Sequence, residues 1–396
     1  MLTVPPERLA IGDQLEYDAI ADNLVAGNGF ATQPGIPTAN RAPLYPMTMA
    51  AVYKTVGRSP RAVLVLQAVL GAATVLLLLW LLRETVENEA AAQIGAWLFA
   101  VHPVGIVYCG RLFAETLSTF LLALSMLLLA RHLCRGKALE AVLAGLVMGL
   151  ATLARPGSLF MPWPALGLML LYGRKRAVSW LGYAAVFYIT IVPWMMRNQE
   201  LFGVRSMAAR GPGFGLYITG HMTQGMSYED ANRGYNEIGA RPEYQELAFS
   251  KGRSPQAELD KVTSREGMAL IRAHPLAYAA IVAKRLPRFW ITSHSSAFDV
   301  DLSIAEYRQQ GRWGPIVLRG ALMLLQALIL GAAAWGLWLM RARWREALIL
   351  AAVPLYMNIH ISFDMIPRYH VPAFPYLLGL AALPLALRGR ALGGSA

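Results

Sequence analysis

The sequence predicts an all-α polytopic membrane protein: a bundle of transmembrane helices with an outward-facing cavity and one long outer loop. Three observations carry this. Of 396 residues, 56% are hydrophobic and only 15% charged. Apolar runs such as "AVLVLQAVLGAATVLLLLWLL" (62–82) continue for about 20 residues without a charge, the length a helix needs to cross a bilayer. The polar connections between such runs alternate in charge, as the loops of a multi-pass protein do.

Taken in order, nine spans are expected, at 61–82, 90–109, 114–131, 138–154, 158–172, 178–196, 313–340, 345–363 and 370–387. One set of connections holds Arg83, then Arg131, Arg135 and Lys137, then "GRKR" (173–176), Arg341, Arg343 and Arg345, and finally Arg388 and Arg390. The other short loops hold only Arg111, Arg155 and Arg368. The positive-inside rule puts the first set in the cytoplasm and the second outside. The formal net charge of +12 is therefore read as a topology signal, and no nucleic-acid partner is expected. Cys109 and Cys134 fall near opposite ends of one predicted helix, too far apart to pair.

These assignments divide the chain into five parts. Residues 1–60 form an outward first loop with juxtamembrane helices, 61–196 six spans, and 197–312 an outward loop domain. Residues 313–387 form three more spans, and 388–396 a cytoplasmic tail. Only twelve residues precede Asp13, too few to span. Either a hairpin carries this tail outward with the first span, or a further helix lies upstream. In the long outer segment "GPGFG" (211–215) reads as a loop and "GLYITGHMTQG" (215–225) as a glycine-rich cover. The stretch 264–290 has the apolar spacing, aromatics and basic residues of a helix lying on the membrane surface.

Ionisable residues gather at the outward ends: His102, Arg111, Glu115, Arg155, Arg197, His360, Asp364, Arg368 and His370. Charges near lipid are costly, so a mixed set of acids and bases at one end marks a polar cavity. The three histidines have no metal-ligand spacing and are read as structural or cavity-lining. In "GDQLEYDAIADNL" (12–24), helical spacing puts Tyr17, Ile20 and Leu24 on the same side as Asp13, and Asp18 and Asp22 on the opposite, solvated side. Spacing alone leaves Asp13 as either an N-cap or a working carboxylate.

Six stretches are familiar as an ordered set: "GDQLEYDAIADNL" (12–24), "NGFATQPGIPTANRAPLYP" (28–46), "FAETL" (113–117), "LARPGSLFMP" (153–162), "PWMMRNQELFG" (193–203) and "PRYHVPAFP" (367–375). Together they resemble GT-C-fold glycosyltransferases of the family 39 type, relatives of protein O-mannosyltransferases and of the lipid A aminoarabinose transferase. The resemblance implies a GT-C-like bundle and an enzyme, a hexosyl- or pentosyltransferase of inverting outcome. It would move a sugar from a polyprenyl-phosphate carrier to a lipid, glycan or protein acceptor on the outer side of a bacterial cytoplasmic (inner) membrane. It also implies roles: Asp13 and Glu115 catalytic, Arg41 and Arg368 binding the carrier phosphate, the latter paired with Tyr369 at the last outward tip. Arg155 opens "RPG" between two spans, where a turn-stabilising role and a phosphate contact are equally open. Tyr17, Tyr45, Arg111, Arg197 and Tyr369 are expected to line the cavity. No cofactor is expected to be required, and a divalent metal has no support in the sequence.

The chemistry of such a transfer asks for the same residue types. Negative charge grows on the leaving phosphate, where arginines stabilise it with forked hydrogen bonds. A carboxylate beside the acceptor takes its proton. Two other functions compete. A transporter or flippase of a lipid-linked sugar needs polar groups through the membrane thickness and usually an internal repeat, and neither is visible. A surface-polysaccharide polymerase or ligase would carry its arginines and histidines in the large outer loop, whereas here the informative acids lie in the first loop and at Glu115.

Overall fold

The computed structural model describes residues 13–208, 211–244, 251–359 and 367–393, so His360 and Asp364 lie outside the described residues. The chain starts with a helix, α1 (Asp13–Val25), a short antiparallel pair, β1 (Ala31–Gln33) and β2 (Ile36–Pro37), and α2 (Leu44–Val56). The apolar helices follow: α3 (Pro60–Thr85), α4 (Glu89–Ala100), α5 (Pro103–Cys109), α6 (Glu115–Arg135), α7 (Ala138–Ala154), α8 (Pro162–Leu171) and α9 (Arg174–Phe202). Five polar-region helices come next: α10 (Gly213–Met222), α11 (Tyr228–Gly239), α12 (Pro255–Ala273), α13 (Pro275–Trp290) and α14 (Ile304–Gln309). The chain ends with α15 (Trp313–Leu339), α16 (Trp344–Met357) and α17 (Phe374–Gly393).

Local chemistry sets the helix limits. α3 begins where Ser59 caps the amide of Ala62 and Pro60 occupies the first turn, and after Arg61 it stays free of charge until Arg83. At about 1.5 Å per residue it reaches about 39 Å, more than the hydrocarbon thickness. α4 and α5 meet at a 52° bend, where His102 Nδ1 accepts from the Gly105 amide and Pro103 cannot continue the preceding helix. Among the described residues five helical runs are long and apolar enough to cross a membrane, six if this bent pair is one span. α7 and the run Pro156–Leu171 are apolar but shorter.

One of the five runs, Trp313–Met357, is 45 residues long. It cannot be one straight rod. Arg319 near its start donates to Ser295 Oγ (3.2 Å), and Asn358 just past its end accepts from Trp290 Nε1 (2.9 Å). Residues 290 and 295 lie within about 18 Å of each other even if extended, whereas a straight helix from 319 to 358 covers about 58 Å. The chain therefore doubles back at the 3₁₀ turn Met340–Arg343, and α15 and α16 are two antiparallel helices, as the basic cluster at 341–345 predicts.

Two ends of the bundle differ in chemistry. At one, Arg135 and Arg131 meet Glu84, Arg343 meets Glu87 (3.2 Å), and Arg176 donates to the Leu133 carbonyl (3.2 Å). This gathers the basic connections of the charge pattern on one side. Asp13, Arg41, Glu115, Arg155 and Arg368 gather at the other. α6 and α17 are the buried centre, while α3, α9 and α15 keep most of their apolar surface outward, the arrangement of lipid-facing helices, and α16 is packed inside by Ala347 and Ile349 to Pro354.

Small residues let the helices approach closely. A Cβ on Gly336 would lie 1.9 Å from the Leu380 carbonyl oxygen, and one on Gly145 would lie 2.1 Å from that of Tyr183. Outside the bundle the same device joins α10 to α12, where a Cβ on Gly267 would lie 2.2 Å from Leu216 O.

Three expectations need correction here. The glycine-rich 215–225 stretch is mostly a packed helix rather than a loop-like cover, with Gly220 set against the Gly267 backbone of α12. The surface stretch 264–290 is two helices, broken at His274 before Pro275. Cys109 closes α5 and Cys134 lies in the last turn of α6, on two helices rather than one, and both are free.

We expect Gly336→Leu to force α15 off α17 and to lower stability by about 1–3 kcal/mol. Gly331→Leu, on the same helix with nothing within 4 Å of its added Cβ, serves as the control. Thermal unfolding in detergent distinguishes them, and equal midpoints would show that the α15–α17 contact is not a tight crossing.

Candidate active site

The site is built on α1. Asp13 and Glu16 occupy its first turn, where carboxylates suit the positive helix end. Gln14 Oε1 accepts from the Leu112 amide (3.0 Å), fastening this turn to the tip after α5. The chain then makes the β hairpin and returns with Arg41, whose Nε donates to Glu16 Oε2 (2.7 Å) and Nη2 to Asp13 Oδ1 (2.5 Å). Its guanidinium lies 5.2 Å from the centre of the Tyr17 ring. Tyr17 packs edge-on to Tyr45 (4.9 Å), and Tyr45 donates to Gln67 Oε1 (2.7 Å) inside α3. Gln67 in turn donates to the carbonyls of Cys109 (3.0 Å) and Arg111 (2.7 Å).

Distant parts of the chain complete the site. Arg368 donates to Asp13 Oδ2, and its Nε lies 3.6 Å from Glu115 Oε1 at the start of α6. Arg155, at the α7–α8 tip, reaches the same Glu115 oxygen (2.5 Å) and lies over the Tyr369 ring (4.7 Å). The result is one alternating string, Glu16–Arg41–Asp13–Arg368–Glu115–Arg155. Its three carboxylates and three guanidiniums sum to zero charge. The string is largely withdrawn from solvent: the Glu115 side chain is 4% exposed, Arg41 and Arg155 15%.

Electrostatics follow from the pairing. Burial alone would raise the Asp13 pKa, but the charges and hydrogen bonds of Arg368 and Arg41 outweigh it and hold the carboxyl down to about 2. Burial, reinforced by the Glu115 charge, pushes Tyr17 up to about 12, so it stays a neutral phenol. Burial would lower Arg41, yet Glu16, Tyr17 and Asp13 raise it above its ordinary value. Arg155 Nη1 is held by Glu115 Oε1 as a close ion pair, whereas the buried Arg368 Nε stands 3.6 Å from that oxygen and forms no hydrogen bond within the described residues. A second acceptor, such as a phosphate oxygen, would satisfy the Arg368 donor. Among the described residues no three His, Cys, Asp or Glu side chains converge to hold a metal ion.

The structure brings Asp13, Arg41, Glu115, Arg155, Arg368, Tyr17 and Tyr369 together. Tyr45 stands behind them, buried in the core. Two of the predicted cavity residues work elsewhere. Arg111 turns outward to Asp299 (2.5 Å) and the Ala297 carbonyl (3.0 Å). Arg197 stacks on Trp194 (4.4 Å) and donates to the carbonyls of Thr38 (2.9 Å) and Phe30 (3.3 Å), bracing the hairpin. Asp18 is not solvated as its helical position implies: it is buried, accepts from Tyr53 Oη (2.5 Å) and pairs with Arg58, which also holds Asp22. Glu16, Gln14 and Gln67 are site residues that sequence reasoning missed. Gln67 left a visible trace as the one polar side chain in an apolar run of ten (62–71).

Against this geometry, the family model described as dolichyl-phosphate-mannose-protein mannosyltransferase matches residues 40–196, which include Arg41, Glu115 and Arg155. Among solved structures, the archaeal oligosaccharyltransferase AglB from Archaeoglobus fulgidus, in complex with an inhibitory peptide and a dolichol-phosphate, is similar. Its TM-score is 0.56 at 13% identity, over 98% of this chain and 48% of that one. The Archaeoglobus fulgidus oligosaccharyltransferase in complex with Zn and sulfate gives a TM-score of 0.54 at 14% identity, over 97% and 46%. ArnT from Cupriavidus metallidurans bound to undecaprenyl phosphate aligns over 98% of this chain and 75% of that one, at 14% identity and a TM-score of 0.43. No curated protein matches the sequence. The chain thus spans about half the length of the oligosaccharyltransferase it matches. Its fold is that of the GT-C membrane glycosyltransferases, and the resemblance to that class drawn from the six sequence stretches is borne out.

A lowered carboxyl pKa has a direct consequence for stability. The Asp13 contribution, about 2 kcal/mol, is fully present above the unfolded pKa near 4 and is lost as pH falls from there toward 2. We expect the unfolding midpoint in detergent to fall below pH 4, with Asp13→Asn flattening that fall. An unchanged acid limb in the variant would mean that the Asp13 pairs do not hold in the membrane protein.

Proposed function

We propose that the protein is a membrane glycosyltransferase that moves a sugar from a polyprenyl-phosphate carrier to a lipid, glycan or protein acceptor. The reaction would occur on the outer face of a bacterial cytoplasmic membrane. The observation that carries this reading is the string of paired acids and arginines at one end of an apolar bundle, with the buried Arg368 Nε donor lacking a hydrogen bond within the described residues. The matches to a mannosyltransferase family model and to the oligosaccharyltransferase fold support it.

In this reading the donor's phosphodiester enters beside Arg155, Arg368 and Arg41. Its oxygens take the open Arg368 Nε donor and draw Arg368 and Arg41 away from Asp13. Asp13 is a poor base while both arginines hold its pKa near 2, and it regains basicity as they turn to phosphate. The acceptor hydroxyl oxygen then bonds to the anomeric carbon, the bond from that carbon to the phosphate oxygen breaks, and the hydroxyl proton passes to Asp13. The electron pair of the broken bond leaves on the polyprenyl phosphate, where the arginines stabilise it. One displacement from the opposite face inverts the anomeric centre. Glu115 keeps Arg155 and Arg368 in place, and the arginines supply the charge neutralisation that this route requires.

The test uses membranes containing the chain and a radiolabelled polyprenyl-phosphate-sugar pool. Asp13→Asn should lower transfer by about 10²–10⁴-fold at equal expression, since a positioned base contributes that much. Arg368→Gln should also lower it, with weaker saturation by donor. Equal transfer by wild type and Asp13→Asn would remove Asp13 from the mechanism, and absence of any transfer would sink the transferase reading.

A further inference from the structure

A second cationic feature stands apart from the acid–arginine string. The segment after α9 and the flank of α12 enclose an open cleft of about 840 Å³. Lys261, Arg265 and Arg272 line it from α12, at spacings of four and seven residues that place them along one face, and Arg205 lines it from the opposite wall. All four side chains are exposed, and none makes an ion pair or a side-chain hydrogen bond within the described residues. Three other basic residues of the region do meet acids: Arg233 meets Asp230, Lys251 meets Glu200, and Arg253 meets Glu258.

Among the described residues that line the cleft, the single carboxylate is already engaged. Asp260 Oδ1 accepts from the amides of Gly211 (3.0 Å) and Gly213 (2.8 Å), so its charge is directed into the loop. Burial also raises its pKa, which weakens its hold on the charged form. Four cations around one occupied acid leave a field that draws anions. The cleft also abuts the proposed catalytic loop. Ala257, one of its lining residues, packs in a small apolar cluster with Phe202 and Ala39, and Ala39 lies two residues before Arg41.

We propose that this cleft is an anion subsite for the acceptor, taking a phosphate group carried by the acceptor while its hydroxyl reaches Asp13. The inference rests on the transferase reading for the acceptor's role but not for the binding itself. It explains how a site whose own charges sum to zero selects among hydroxyl-bearing molecules: the acceptor is chosen by a charge held at a distance from the reacting oxygen. Because the four side chains are exposed, the binding is salt-sensitive and strongest at low ionic strength.

Two measurements test it on the full chain in a neutral detergent. Equilibrium dialysis with ³²P-labelled inorganic phosphate, and with short-chain phosphatidic acid below its micelle concentration, compares wild type, Lys261→Gln/Arg265→Gln and Arg41→Gln. The two glutamines replace exposed side chains, so the fold is not at stake. Phosphate binding that weakens at least five-fold in the double variant, and persists in Arg41→Gln, is the expected result. Tighter binding of phosphatidic acid than of phosphate would assign the group to a lipid headgroup, and the reverse order to a glycan or soluble phosphate; either order supports the subsite. Affinity unchanged in the double variant, or lost only in Arg41→Gln, would overturn it. The transfer assay with radiolabelled donor is read separately. Phosphate binding at the cleft without any sugar transfer would retire the transferase reading while the anion site stood, and transfer with no cleft binding would do the opposite.

Discussion

The constraint on which this structure depends is charge pairing at the end of an apolar bundle. An arginine withdrawn from water is tolerated only where a carboxylate or a set of carbonyls meets it, and removing one partner strands the other at a cost of several kcal/mol. Arg368 cannot sit beside α6 without Glu115 and Asp13, and Asp13 cannot sit there without Arg41. The partners come from the first helix, the loop before α2, the start of α6 and the turn before α17. Pairing them therefore fixes how four distant pieces of chain meet, before any question of chemistry.

A ring of secondary contacts holds those pieces still. Arg197 stitches the hairpin to the end of α9 through the carbonyls of residues 30 and 38, which sets where the chain emerges at Arg41. Gln67 and Gln14 do the same for the tip at 109–112. Two residues beyond Arg368, His370 is buried, stacks on Trp290 and shares a 2.8 Å hydrogen bond with His294. Burial drives the His294 pKa down to about 3, so it is neutral at physiological pH. His294 and Asp299 both adopt positive φ, of 47° and 59°, in the short segment that Arg111 and Arg319 also grip. Backbone held in that region costs energy and persists only where surrounding contacts impose it.

Much of this was legible in the sequence, for reasons that differ by element. Hydropathy sums over about twenty residues, so the apolar segments emerge despite local noise, and the reversal at 340–343 was announced by its arginines. α10 was hidden because glycine is ordinarily a loop residue, and only the α12 backbone opposite explains why Gly213 and Gly220 sit in a helix. At the site, Asp13, Arg41, Glu115 and Arg368 were visible through the family resemblance. Glu16 was not, because an acid in a first turn already has a sufficient explanation in the helix dipole. Arg111 and Arg155 look alike in sequence, each a lone arginine in an outward tip. What separates them is which carboxylate stands opposite: Arg111 meets the exposed Asp299 of a distant segment, and Arg155 meets the buried Glu115 that also faces Arg368.

Charge neutrality of the resting string bears on the proposed reaction. With three acids and three arginines the site sums to zero, and a donor phosphodiester brings it to one net negative charge. Transfer conserves that total. The acceptor proton neutralises Asp13 while the phosphate gains a second charge, so a string now one charge positive faces a dianion. The product is held more strongly than the donor until the proton moves from Asp13 to the phosphate and the Asp13 pairs with Arg41 and Arg368 can reform. The same two arginines that depress Asp13 in the resting state thus time its release and its recovery. A base tied down by the groups that bind the donor is free only when the donor is present, and this couples sugar transfer to occupancy without a moving lid.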